Sequence, residues 1–347
     1  MKKYISLSCF AIVVLTSVLR LVACGASDRK GKVTGQDILI SSDFINPTYG
    51  ANAPDPSVIQ SGNGMYYAYT TNARIFESQD LVNWQRINDA FEGTACPDWL
   101  TGGAVWATDI NFIDGRYVLY YALSKWGEQL KNGIGVATSR DPGGPFSDHG
   151  AMFTSEDIGV RNSIDPCYHY HEGKHYLAWG SWHGIWLAEL TADALRVNES
   201  VPLKQIAGTA FEAPMIFMRD GYYYLFCSIG SCCKGLKSTY QTVVGRSESL
   251  FGPYVDKEGR EMLENNYELV LSSNEHFVGP GHNSEIVTDY EGKTWFLYHA
   301  YVVADPGAKR CLMLDEVKWD SDGWPYVSGG SPSTSLNDGP VLKIKGQ

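Results

Sequence analysis

One pattern recurs five times along the chain: a carboxylate beside a short apolar run, a turn containing glycine, then a tyrosine-rich segment. The copies are APDPSVIQSGNGMYYAYTT from Ala53, WATDINFIDGRYVLYYALS from Trp106, and SIDPCYHYHEGKHYLAWGS from Ser163. FEAPMIFMRDGYYYLFCSIGS from Phe211 and HNSEIVTDYEGKTWFLYHAY from His282 complete the set. Their acids are Asp55, Asp109, Asp165, Glu212 and Glu285. Each copy reads as a β-hairpin: a strand, a D-G, E-G or N-G turn, then an alternating aromatic strand. A third strand often follows, as in GIGVATS, GIWLAEL, TVVGRSE and CLMLDEVKW. Three or four strands repeated at about fifty residues are the sequence signature of a propeller blade. The expected fold is therefore all-β, a five-bladed β-propeller. A β-sandwich leaves the repeated first-strand carboxylate unexplained, and a parallel β-helix has a shorter repeat.

The innermost strand of a blade lines the central channel. If each copy starts there, the five acids begin near one end of the axis and share a cavity. Asp55 sits between two prolines, which predicts an extended, stiff segment at the mouth of its strand. Converging carboxylates suit three chemistries: a hard cation, hydrolysis of a glycosidic bond, or hydrogen bonding to sugar hydroxyls. Trp106, Trp126, Trp179, Trp182 and Trp186 lie close to the second and third copies and favour sugar, whose apolar faces stack on aromatic rings.

The chain has 347 residues, with 13% aromatic and only 19% charged, and a formal net charge of −11. Such a balance lacks the basic footprint of a nucleic-acid binder. Lys2 and Lys3 precede an apolar stretch from Ile5 to Leu19, too short for a comfortable membrane span. It ends in L-V-A-C, the pattern of a bacterial lipoprotein signal, with Cys24 as the lipidated residue; Arg20 is an awkward charge there. The expected organisation is a signal peptide over 1–23, a polar tether over 24–35, and one catalytic domain over 36–347. This implies an exported, membrane-anchored protein. Its eight cysteines form no paired C-x-x-C framework. Adjacent Cys232 and Cys233 either form a vicinal disulfide or remain two thiols. No coiled coil or interface stripe appears, so a monomer is expected.

The segments A-P-D-P-S, W-A-T-D-I, N-S-I-D-P, F-E-A-P, S-C-C-K-G-L-K-S-T-Y, V-G-R-S-E-S-L-F-G-P-Y, G-P-G-H-N and D-G-W-P occur in that order. In them the chain resembles glycoside hydrolase family 43, in its arabinanase branch, over about residues 45 to 330. The resemblance implies inverting hydrolysis by three acids: Asp55 as general base, Glu212 as general acid, and Asp165 as the residue that raises the acid's pKa and orients it. Inversion needs base and acid roughly 6.5–9.5 Å apart, to admit a water. Asp109 and Glu285 match no catalytic role; a channel or turn role is expected for both. His282, in G-P-G-H-N, resembles a histidine that holds a hydrated cation near the axis, usually assigned as calcium. No organic cofactor is expected. Trp106, Asn162 and Ser181 are candidates for sugar contact. Thr108 stands where the family pattern has proline, which predicts a loosened start to that strand.

The expected substrate is α-1,5-linked L-arabinan or its oligosaccharides, cut internally. Exo-acting relatives with the same acids are the alternative: an arabinofuranosidase, an exo-arabinanase or a β-xylosidase. A sugar-binding lipoprotein without catalysis ranks lower, since all three acids are present.

Overall fold

The computed structural model describes residues 37–305 and 307–345. The 1–23 signal, Cys24 and the 24–35 tether lie outside them. Five antiparallel sheets follow one another along the chain, and each is a blade. Blade I comprises Ser57–Gln60, Tyr66–Thr70, Arg74–Ser78 and Gln85–Asp89, paired in that order. Blades II, III and IV repeat the meander from inner strands Ala104–Ile113, Cys167–His171 and Glu212–Arg219. In blade V the inner strand is broken into Phe277–Gly281 and Val287–Thr288, both paired with Thr294–Val302. The five-bladed propeller read from the repeats is thus the observed fold.

One local expectation is corrected. The second strand of each hairpin does not alternate between core and solvent. All of Tyr66–Thr70 is buried, and all of Arg116–Ser124 except its first residue. Each of these strands lies between two neighbouring blades, so both of its faces are covered and it reads as a continuous apolar run. The core accordingly sits between blades: Tyr69, Ile75, Leu119 and Tyr121 join blades I and II, and Phe44, Val58, Leu297 and Leu312 join V and I.

The start of blade II is irregular where Thr108 stands. Its inner strand runs for ten residues from Ala104, with a register shift between Val105 and Thr108. Blade IV has the same kind of break between Glu212 and Met215, around Pro214, so threonine and proline leave inner strands of similar form.

The ring is closed by the chain's ends. Asp37–Ile40 pairs with Leu342–Lys345. Residues 44–53 then run along blade V, where the Tyr49 amide donates to the Leu312 carbonyl and the Ala53 amide to the Arg310 carbonyl. Buried Asn46 clips this seam, accepting from the Leu314 amide and donating to the Leu314 carbonyl, each at 2.9 Å.

Candidate active site

Four blades bend their inner chain the same way at the channel mouth. Asp55, Asp165, Ala213 and His282 have φ of 58°, 61°, 54° and 51°. This is the left-handed region, uncommon outside glycine and costing about 1–3 kcal/mol per residue. The extended backbone expected at Asp55 is therefore not what forms. Two residues later, Ser57 and Cys167 enter regular pairing with their blades. The kink lets a residue at the end of the strand face the axis. Gly281 permits the bend at His282, since a Cβ there would lie 2.4 Å from the Tyr240 ring.

Asp55 is buried and held almost wholly by the neighbouring blade. Arg310 Nη1 lies 3.0 and 3.1 Å from its two carboxylate oxygens. His299 Nδ1 is 3.2 Å and His282 Nδ1 3.3 Å from Oδ1, and the Thr71 hydroxyl donates to Oδ2. Burial alone would raise the pKa of Asp55; Arg310 first, then the two histidines, outweigh it and hold the carboxyl well below its usual range. Burial also lowers the pKa of His282, to about 4. Both imidazoles are thus neutral near pH 7, where Arg310 supplies the charge that faces Asp55; the histidines add to it only once protonated in acid.

Asp165 and Glu212 respond in the opposite sense. Burial raises both, and each also feels a neighbouring carboxylate. Asp165 is pushed up further, by Glu212 and then Asp55. Glu212 is restrained by hydroxyls that favour its ionised form: Ser181 Oγ donates to Oε2 at 2.7 Å, and Tyr240 bonds from within the core. Both carboxyls are thus held above their usual range, and the pair titrates as a unit.

Asp109 and Glu285 do not join this pocket. They lie in the channel wall and bond blade to blade. Glu285 accepts from the Ser57 hydroxyl and the Val58 amide of blade I, and Asp109 accepts from the Tyr168 amide of blade III. Ser57 in turn accepts from the Ile110 amide of blade II. Burial raises the pKa of both acids, and the two carboxyls hydrogen-bond each other. Equal rank in the repeat concealed a difference of level: Asp55 and Asp165 sit two residues before paired strand, whereas Asp109 lies within it.

The three converging acids line a cavity of about 370 Å³, with Trp106, Trp126, Trp182, Asn162, Ser181, His282 and Arg310. Trp106 and Trp126 stand 5.4 Å apart at a 52° tilt, and Trp126 is 78% exposed. Asn162 spends its side chain on structure, donating to the Ser181 carbonyl and accepting from Asn132. Arg310, His299 and Thr71 escaped sequence reasoning as site residues. Trp182 was read only as one of five tryptophans that favour sugar, and Tyr240 only as the end of S-C-C-K-G-L-K-S-T-Y; the folded ring is what brings all five to the acids.

No group of three or more His, Cys, Asp or Glu side chains among the described residues is arranged to hold a metal ion. His282 offers one neutral imidazole. Close by, His299 Nε2 and Asn283 Oδ1 are buried without a protein partner, the kind of polar site that ordered water fills. Such a donor set fits a cation that keeps most of its water shell, not one caged by protein oxygens.

Comparison with known proteins bears on this geometry. Residues 44–325 match the model of glycosyl hydrolases family 43. The extracellular exo-α-(1→5)-L-arabinofuranosidase ArbA of Cellvibrio japonicus is 35% identical over 303 residues, 79% of this chain and 85% of that protein. The extracellular endo-α-(1→5)-L-arabinanase 1 of Bacillus subtilis is 34% identical over 288 residues, 78% and 86%. Among solved structures, the endo-arabinanase of Bacillus licheniformis superposes with a TM-score of 0.73 at 33% identity, covering 82% of this chain and all of that one. With its acids in one pocket and the family match running from residue 44 to 325, through all five blades, the chain belongs to glycosyl hydrolases family 43 and is a glycoside hydrolase.

Proposed function

We propose that the protein is an inverting hydrolase that cuts α-1,5-linked L-arabinan within the chain. The observation that carries the mechanism is the opposed behaviour of the acids in one cavity: Asp55 is held below the usual carboxylate range while Asp165 and Glu212 are pushed above it. Asp55 takes a proton from the water that attacks the anomeric carbon. Glu212 protonates the departing oxygen, and Asp165 keeps that proton available and orients the acid. Ser181 positions Glu212 through its hydroxyl. Trp106 stacks on sugar, and Asn162 holds the wall beside the cleaved bond.

Arabinan as substrate is supported by the relatives, which include an arabinanase solved with arabinohexaose at 32% identity and a TM-score of 0.73, covering 80% of this chain and 95% of that one. Glu212→Gln is expected to lower hydrolysis of linear arabinan by about 10³-fold or more while sparing binding. The wild type should release a ladder of oligosaccharides. Release of one short product from the start would overturn endo action and favour the exo reading, which the 35%-identical Cellvibrio enzyme keeps open. NMR of fresh product should show the inverted anomer.

A hydrated cation beside His282, calcium by resemblance, completes the proposal as a structural aid near Asp55. When bound it adds positive charge to this wall. Chelation should lower the melting temperature or activity and calcium restore it; no change in either would remove the metal. Export is supported by relatives named as extracellular. Anchoring at Cys24 is checked by lipid labelling, which Cys24→Ala should abolish.

A further inference from the structure

Cys232 and Cys233 form a disulfide between adjacent residues. A disulfide stabilises a fold chiefly by closing a loop in the unfolded chain, and the effect grows with loop length. Neighbouring cysteines close no loop, so this bond does little for global stability. Nor is it an outlying accident of the surface. Both residues line the cavity that holds the three acids.

The segment that carries them is pinned on both sides. The Ser231 amide donates to the Thr239 hydroxyl, the Thr239 amide to the Ser231 carbonyl, and the Lys234 amide to the Ser238 hydroxyl, each at 3.0 Å. The pair is half-buried, so part of it faces the cavity. It follows the second strand of blade IV, whose inner strand begins at Glu212. Trp106 and Trp126 come from blade II. With blade III between them, the two groups occupy separated walls of the same mouth.

We propose that the Cys232–Cys233 disulfide is a substrate-binding surface, taking the apolar face of an arabinofuranose ring next to the cleaved bond. Closing the two sulfurs removes two weak S–H donors and presents a compact, polarisable, apolar patch. Because the bond fixes both side chains, little entropy is lost when sugar lands on it. Two free thiols at the same place present a mobile, more polar wall. The substrate class rests on the arabinan reading above.

The test compares wild type with Cys232→Ala/Cys233→Ala on linear arabinan, with and without a water-soluble phosphine. The disulfide oxidises the phosphine by two electrons and becomes two thiols, while water supplies the oxygen of the phosphine oxide and the two thiol protons. Among the described residues this is the one disulfide; Cys96, Cys167, Cys227 and Cys311 are free. The expected result is a KM about five- to tenfold higher for the double variant and for reduced wild type, with kcat within about twofold. The phosphine should leave the double variant unchanged. An unaltered KM in both would overturn the proposal. So would a fall in kcat that tracks a lower melting temperature, which marks a purely structural bond. Calorimetry with an arabino-oligosaccharide separates this proposal from the activity reading. Binding weakened by reduction, without any hydrolysis, would sustain the surface and sink the arabinanase. Neither binding nor hydrolysis would sink both.

Discussion

At the scale of single residues, Asp55, the proposed base, is held in its ionised form because Arg310 stands against it. Removing that charge must raise the base's pKa. Arg310→Met is therefore expected to move the acidic limb of the kcat/KM profile upward, so that activity is lost at a higher pH as the solution is acidified. An acidic limb that stays in place would show that Arg310 does not set this ionisation. The same depression makes Asp55 a source of stability that is present above the unfolded carboxylate value of about 3.9 and lost as pH falls through its folded value. The acids themselves were legible because each lies in a short proline-marked phrase: A-P-D-P, S-I-D-P, F-E-A-P. Their partners were not. Arg310 and His299 are 255 and 244 residues from Asp55, and no local signal ties an arginine in A-K-R-C to an aspartate across a closed ring.

At the scale of strands, the inner face of the ring depends on bonds that run from one blade's side chain to the next blade's amide. Asp109 and Glu285 supply two of these, and their cost is a buried acid pair. Both folded pKa values are raised, so the proton they hold stabilises the fold at low pH, and that contribution is lost as pH rises above the unfolded carboxylate range. Asp109→Asn needs no proton. Its destabilisation, measured by urea unfolding, should be smaller at pH 8 than at pH 5; an equal or larger loss at pH 8 would refute the shared-proton account. Gly281→Ala tests the bend at His282. Driving a Cβ against the Tyr240 ring should cost about 1–3 kcal/mol and lower the melting temperature. The strands were readable from their turns and aromatic content. Their burial was not, because an apolar run buried on both faces in Tyr66–Thr70 looks locally like half of an alternating pattern.

At the scale of the whole molecule, the period of the repeat made five blades legible, but the closing seam has no repeat to announce it. It is made by Asp37–Ile40 with Leu342–Lys345, and by Asn46 bonded to both groups of Leu314 and to Asp315. Asn46→Ala strands those buried partners and should cost about 2–4 kcal/mol. Because Asp55 is clamped across this same seam, the variant should also lose activity on warming before its bulk strand signal by circular dichroism melts. Coincident loss of the two would show the seam and the base to be uncoupled.

That arrangement also sets an order of events in synthesis. Asp55 emerges early from the ribosome, and Arg310 near the end. Until the last blade docks, the earliest acid has no cation beside it and no properly built cavity around it. A chain released short of its fifth blade lacks Arg310, His282 and His299 beside Asp55, and is expected to cut no arabinan. Completion of the ring is then what arms the enzyme.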